Sequence, residues 1–167
     1  MHDSILFVCL GNICRSPMAE AVMRDLLERE GLADRIAVDS AGTGDWHVGH
    51  PPHEGTRRIL DKQGISCAGL RARKFQPEDG ERFALIVAMD RSNERDIAEI
   101  LKAGHRAKVI RFMSLLPEKR KDDVPDPYYT GNFEEVFALV RGGCERLLAD
   151  ARERHALSSN DHPHQHD

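Results

Sequence analysis

The chain is expected to fold as an α/β domain, a single four-stranded parallel sheet with helices on both faces. Three observations predict it. Four short apolar runs, starting near residues 4, 36, 83 and 107, have the length of strands. The stretches between them place apolar residues at helical spacing. The first run is apolar on both sides, as a strand covered on both faces must be. Strands that alternate with helices pack as a parallel sheet, and 167 residues suit one such domain.

The elements follow in order. Ser4 to Leu10 reads as the first strand. Ser16-Pro17 opens a helix, with serine as the cap and proline at the first helical position. Met18, Val22 and Leu26, then Met23 and Leu27, keep the helical period until Gly31 ends it. Residues 36–40 form the second strand, and 41–52 a loop rich in Gly, His and Pro. Residues 54–63 are helical and Gly64 closes them. Residues 83–88 are the third strand and 91–102 a helix, capped by Asp90 and Arg91. Residues 107–112 are the fourth strand, and 117–131 a polar loop with three prolines. Phe133, Val136, Phe137, Val140, Cys144, Leu147 and Leu148 make a long amphipathic helix. The domain thus spans 1–155, and 156–167 form a polar, histidine-containing tail expected to be disordered.

Composition narrows the function. A net charge of -4 gives no reason to expect nucleic acid or an anionic membrane as partner. The apolar start is about six residues, too short for a signal-peptide core or a membrane span. Four irregularly spaced cysteines do not make a disulfide scaffold. A cytoplasmic protein with reduced thiols is the expectation.

The chemistry concentrates between the first strand and the first helix. Ligands of parallel sheets bind outside the carboxyl ends of strands, where Cys9-Leu-Gly-Asn-Ile-Cys-Arg15 falls. Gly11 permits close approach, and Asn12 tolerates a left-handed backbone. The loop amides and the following helix N-terminus can then converge on an anion. Arg15 adds a planar fork suited to two phosphate oxygens. The same field favours the thiolate at Cys9. The segment therefore suits a tetrahedral oxyanion above a sulfur nucleophile. A zinc site lacks a second ligand pair at familiar spacing, and the histidines at 47, 50 and 53 read more simply as a solvated loop. No nucleotide-binding G-x4-G-K-[ST] occurs.

Cys9-Leu-Gly-Asn-Ile-Cys-Arg-Ser-Pro-Met-Ala-Glu20 resembles the signature of the low-molecular-weight protein tyrosine phosphatases. The likeness continues through Val38–Gly42, Ala88–Asn93 and Val124–Tyr129, and covers about residues 4 to 150. It implies that family's four-stranded, flavodoxin-like fold. It implies hydrolysis of phosphotyrosine through a phosphocysteine, with no metal or cofactor. Cys9 would be the nucleophile, Arg15 the phosphate clamp, and Leu10, Gly11, Asn12, Ile13, Cys14 and Ser16 the rest of the phosphate loop. Asp126, in Pro125-Asp126-Pro127, would be the general acid and then base; without the likeness it is an ordinary turn residue. Ser16 would stabilise the thiolate, and Asn12 would lock the loop with Ser40 as partner. Leu10, Ile13, Trp46, Tyr128 and Tyr129 could wall a slot for an aryl ring. The partners implied are a phosphotyrosine protein or aryl phosphate, and inorganic phosphate or a similar oxyanion in the loop.

Cys14 is either a packed thiol or, as the resemblance suggests, a partner for reversible disulfide formation with Cys9. Cys144 falls on the apolar face of the last helix, and Cys67 has no evident place. Leu70 stands where many relatives carry histidine. Three other activities share features of this loop. Thioredoxin-coupled arsenate reductases need further cysteines near the third strand, and 87–93 has none. Arginine phosphatases carry threonine where Ile13 stands. Phosphocysteine carriers would be harmed by a water-activating Asp126. A passive oxyanion-binding module would have no use for the Cys9–Asp126 pair.

Overall fold

The computed structural model describes residues 4–160, with side chains to 155. Four parallel strands form one sheet in the order β2-β1-β3-β4: β1 Ser4–Cys9, β2 Ala37–Gly42, β3 Leu85–Ala88 and β4 Lys108–Arg111. Helices α1 Arg15–Arg29, α2 Glu54–Lys62 and α6 Phe133–Asn160 share the larger core on one face. Helix α4 Arg91–Ile100 packs on the other. Two single turns, α3 Asp79–Arg82 and α5 Pro127–Thr130, complete the helices. The predicted fold class is the observed one.

The alternation of β1 explains the two layers. Ile5, Phe7 and Cys9 face α1 and α6, while Leu6 and Val8 face the α4 side. All five are buried, and each large apolar side chain so placed contributes about 1.5–3 kcal/mol. Phe7 meets Phe112 with ring centroids 6.4 Å apart. A Cβ on Gly143 would overlap that Phe112 ring, so α6 lies as close to the sheet as a glycine allows.

The differences from expectation are local. Helix α1 starts at Arg15, and Cys14 takes the cap position without a side-chain bond. Ser16 therefore does not cap it; its hydroxyl turns inward to Cys9. The predicted 117–131 loop contains a 3-10 turn at Pro117–Lys119 and the α5 turn, started by Pro127 after Asp126. The predicted tail boundary at 155 also moves. Helix α6 runs to Asn160, because Ala151 still packs in the core and extending an existing helix costs little. Residues 161–167 of that predicted tail lie outside the described residues.

The strand order reverses between β1 and β3, which are neighbours. The segments leaving these two strands diverge there and open a crevice. Cys9 ends β1 at this point, with Gly42 opposite it in register on β2.

Candidate active site

The turn from Cys9 to Arg15 is shaped by its outer side. The Cys9 carbonyl accepts from Thr43 N–H (3.0 Å), that of Leu10 from Gly44 N–H (2.9 Å), and that of Ile13 from His53 N–H (2.7 Å). Thr56 Oγ1 donates to the Cys14 carbonyl at 3.2 Å. Across a planar trans peptide, the next N–H points opposite to the carbonyl. The amides of Leu10, Gly11, Cys14 and Arg15 are thereby turned away from the flanking chain. Asn12 is left-handed, at φ 56°. Its Oδ1 accepts from Arg73 N–H (2.9 Å), and its Nδ2 donates to Ser16 Oγ (2.8 Å) and Ser40 Oγ (2.9 Å). Its own N–H donates to Cys9 Sγ at 3.3 Å.

Cys9 Sγ lies 2.9 Å from Ser16 Oγ. Arg15, 2% exposed, spreads its guanidinium behind the same cavity. Nη1 donates to Asp90 Oδ2 (2.7 Å) and the Val124 carbonyl (2.9 Å), and Nη2 to Asp126 Oδ2 at 3.4 Å. Nε is buried and has no protein partner, an unusual state for a donor. Burial works against the Arg15 charge, but Cys9, Asp126 and Asp90 outweigh it and hold the guanidinium above its usual range.

Asp126 caps α5 by accepting from Tyr128 N–H at 3.1 Å through Oδ1, which leaves Oδ2 on the cavity side toward Arg15. Asp90, which sequence alone assigns to capping, does cap α4 through Oδ1 (2.7 Å from Asn93 N). Its second oxygen grips Arg15, so it belongs to the site as well.

A cavity of about 190 Å³ joins these groups. Cys9, Leu10, Gly11, Ile13, Cys14 and Arg15 form its floor, and Trp46, Asp126, Tyr128 and Tyr129 its walls. Asn12, Ser16 and Ser40 stand behind the floor, all nearly fully buried. His47 also lines the cavity; its ring would lie 3.0 Å from a Cβ on Gly11. Trp46 lies across Gly44, where any Cβ would overlap its ring. His53 is not merely solvated. It stacks on Phe133 at 5.2 Å, and its Nδ1 accepts from Gly55 N–H at the start of α2.

The other thiols fall into place. Cys14 is buried, and burial first, then Cys9 and Asp126, pushes its thiol up to about 12. Cys144 is core, 3.7 Å from the Ala19 carbonyl, and burial raises it strongly. Cys67 packs at the edge of the larger core, and Leu70 is buried within it.

A thiol beside a hydroxyl, a buried unpartnered arginine donor and a carboxylate on the opposite wall are the parts of an acid-assisted attack on an oxyanion. Known proteins carry the same arrangement of chain. The low molecular weight protein-tyrosine-phosphatase YfkJ of Bacillus subtilis is 49% identical over 154 residues, spanning 92% of this chain and 99% of that protein. Its crystal structure superposes with a TM-score of 0.87 over 92% of this chain and 97% of that one. The low molecular weight protein-tyrosine-phosphatase PtpA of Staphylococcus epidermidis is 47% identical over 146 residues, spanning 86% of this chain and 90% of that protein. The Drosophila arginine phosphatase structure is 32% identical, with a TM-score of 0.80 over 90% of this chain and 98% of that one. The model of the low molecular weight phosphotyrosine protein phosphatases matches residues 4–157, nearly the whole described chain, and the chain belongs to that family.

Proposed function

We propose that this enzyme hydrolyses phosphotyrosine in proteins, with Cys9 as nucleophile, Arg15 as phosphate clamp and Asp126 as general acid and base. The carrying observation is the cavity floored by Cys9 and Arg15 and walled by Asp126, with the Arg15 Nε buried and without a protein partner. The Cys9 thiolate attacks phosphorus, and the phosphorus–oxygen bond to the phenol breaks as Asp126 gives that oxygen its proton. Arg15 and the loop amides hold the non-bridging oxygens. A phosphocysteine results. Asp126, now a carboxylate, takes a proton from water as the water oxygen attacks phosphorus, releasing phosphate and the thiolate. Asp126 must begin protonated and Cys9 ionised, so activity is bell-shaped in pH with an acidic optimum.

The walls support an aryl substrate. Trp46, Tyr128 and Tyr129 offer apolar surface around the anion site. Cys14 we assign as partner in a reversible disulfide: peroxide oxidises Cys9 to a sulfenic acid, Cys14 displaces water from it, and a thiol reductant restores both. A Cys14→Ser variant should then lose peroxide-treated activity irreversibly. The four cysteines are free, consistent with a cytoplasmic setting. Among the described residues no helix is long and apolar enough to cross a membrane.

Matched phosphotyrosine, phosphoserine and phosphoarginine peptides, assayed in EDTA with Cys9→Ser as control, test the reading. Cys9-dependent release from phosphotyrosine alone is the expected result. Release mainly from phosphoarginine would keep the mechanism and overturn the role given to the aromatic walls.

A further inference from the structure

Asp126 has to be aimed, and the stretch of chain that carries it is stiff. Pro125 and Pro127 flank it, each with φ fixed by its own ring. Val124 and Asp126 both precede a proline, which confines them to extended backbone; Asp126 has φ -89° and ψ 107°. The segment therefore moves as one piece, and its anchors decide where the Asp126 carboxyl points. Beyond it the chain is a poor anchor, because Tyr128 and Tyr129 are exposed. Before it, Val124 N–H donates to the Met89 carbonyl at 2.9 Å, and the Val124 carbonyl accepts from Arg15 Nη1 at 2.9 Å. Both bonds sit on one residue. They fix a point and leave the segment free to swing about it.

A second point of attachment lies one residue earlier. Asp123 Oδ1 accepts from the Arg91 backbone N–H at 2.9 Å and from Arg91 Nε at 3.3 Å, and Oδ2 accepts from Nη2 at 3.3 Å. A planar fork on a carboxylate fixes angle as well as distance. Asp122 adds ion pairs to Arg111 at 3.3 Å and to Arg91 at 3.7 Å, and Arg111 pairs with Glu94 at 3.5 Å. Burial works to raise the Asp123 carboxyl, but the Arg91 N–H, the Arg91 guanidinium and Arg111 outweigh it and hold the carboxyl below its usual range. The turn from Met89 to Arg91 thus grips three parts of the site at once: Met89 holds Val124, Asp90 holds Arg15, and Arg91 holds Asp123. Exposed ion pairs add little to stability, so the effect of this clamp lies in geometry.

We propose that Arg91 is a positioning residue for the general acid: by gripping Asp123 it keeps the Val124–Pro127 segment turned so that the Asp126 carboxyl meets the leaving oxygen. This rests on the reading of Asp126 as general acid. A misplacement of about 1 Å can cost about 10²-fold, and only a leaving oxygen that needs a proton feels it.

The test compares kcat/KM for phenyl phosphate and dinitrophenyl phosphate in the wild type, Arg91→Met, Asp123→Ala, Asp126→Asn and the Arg91→Met/Asp126→Asn double variant. Dinitrophenolate departs without a proton, whereas phenolate needs one. Arg91→Met and Asp123→Ala should lose about five- to twentyfold more on the phenyl ester than on the dinitrophenyl ester. In the Asp126→Asn background, Arg91→Met should cost nothing further, because the group it aims is gone. A merely structural contact would lower both esters alike. Arg91 is 58% exposed, so Arg91→Met decides the matter even if Asp123→Ala does not fold. Equal losses on the two esters, no loss in Arg91→Met, or a further loss in the Asp126→Asn background would overturn the proposal. An Asp126→Asn variant that treats the two esters as the wild type does would instead overturn the general-acid assignment beneath it.

Discussion

Cys9, Asn12, Arg15 and Ser16 are each at most 3% exposed, whereas Trp46, Tyr128 and Tyr129 are 67%, 53% and 76% exposed. Floor and walls enclose one cavity, but they are held by different forces. The floor is pinned by directional bonds from β2, the 43–53 loop, the start of α2 and Arg73. The walls rest on ring contacts, such as Tyr128 against Tyr129 at 5.4 Å and against His53 at 5.9 Å. Ring contacts are worth about 0.5–1.5 kcal/mol each and tolerate rearrangement. Buried networks tolerate little, since an orphaned polar group costs about 1–3 kcal/mol. The division suggests that rate is set below and choice of substrate above.

Substitutions can break or sharpen that division. Cys9→Ser should leave no turnover above background on any phosphate ester while phosphate still binds. Asp126→Asn should lower kcat on aryl phosphates about 10²–10⁴-fold and remove the alkaline limb of the pH profile, because an amide has no proton to lose. Asn12→Ala removes three side-chain bonds and leaves alanine at φ 56°. It should destabilise the fold by about 1–3 kcal/mol, read from urea midpoints, and lower kcat with substrate preference unchanged. Trp46→Ala should raise KM for phosphotyrosine peptides about two- to tenfold and leave a small alkyl phosphate unaffected. An equal loss on both substrates would mean the wall also shapes the floor. Gly44→Ala must displace the Trp46 ring, so it should mimic Trp46→Ala more weakly.

The same contrast governs what could be read from the chain itself. The floor is nearly contiguous, and residues 9–16 announce a strand end, a tight turn and a helix start together. Asp126 lies 111 residues from Arg15, and only the family likeness lifts it above an ordinary Asp-Pro turn. Asp90 shows why long-range pairs hide. Capping of α4 fully explains an Asp at that position, and the oxygen that reaches Arg15 leaves no local trace. His47 is masked by a loop already rich in histidine, and its nearness to Gly11 depends on a contact across the fold. Ser16 misleads in the opposite way. Ser-Pro is a good helix opening, but the helix starts two residues earlier, at Arg15, and the hydroxyl is taken by Cys9. Helix α6 outruns its period because small residues such as Ala151 continue the packing that leucines begin.

The outward-facing carbonyls of the phosphate loop have a thermodynamic consequence. They are bonded to Thr43, Gly44, His53 and Thr56, all groups of the protein itself. An arriving oxyanion therefore meets a loop with little ordering left to do, and the entropy that a floppy anion site surrenders on binding was lost here when the chain folded. Calorimetry of phosphate binding should accordingly show a small heat-capacity change, with the association governed by the exchange of water for amides and guanidinium rather than by any closing of the backbone.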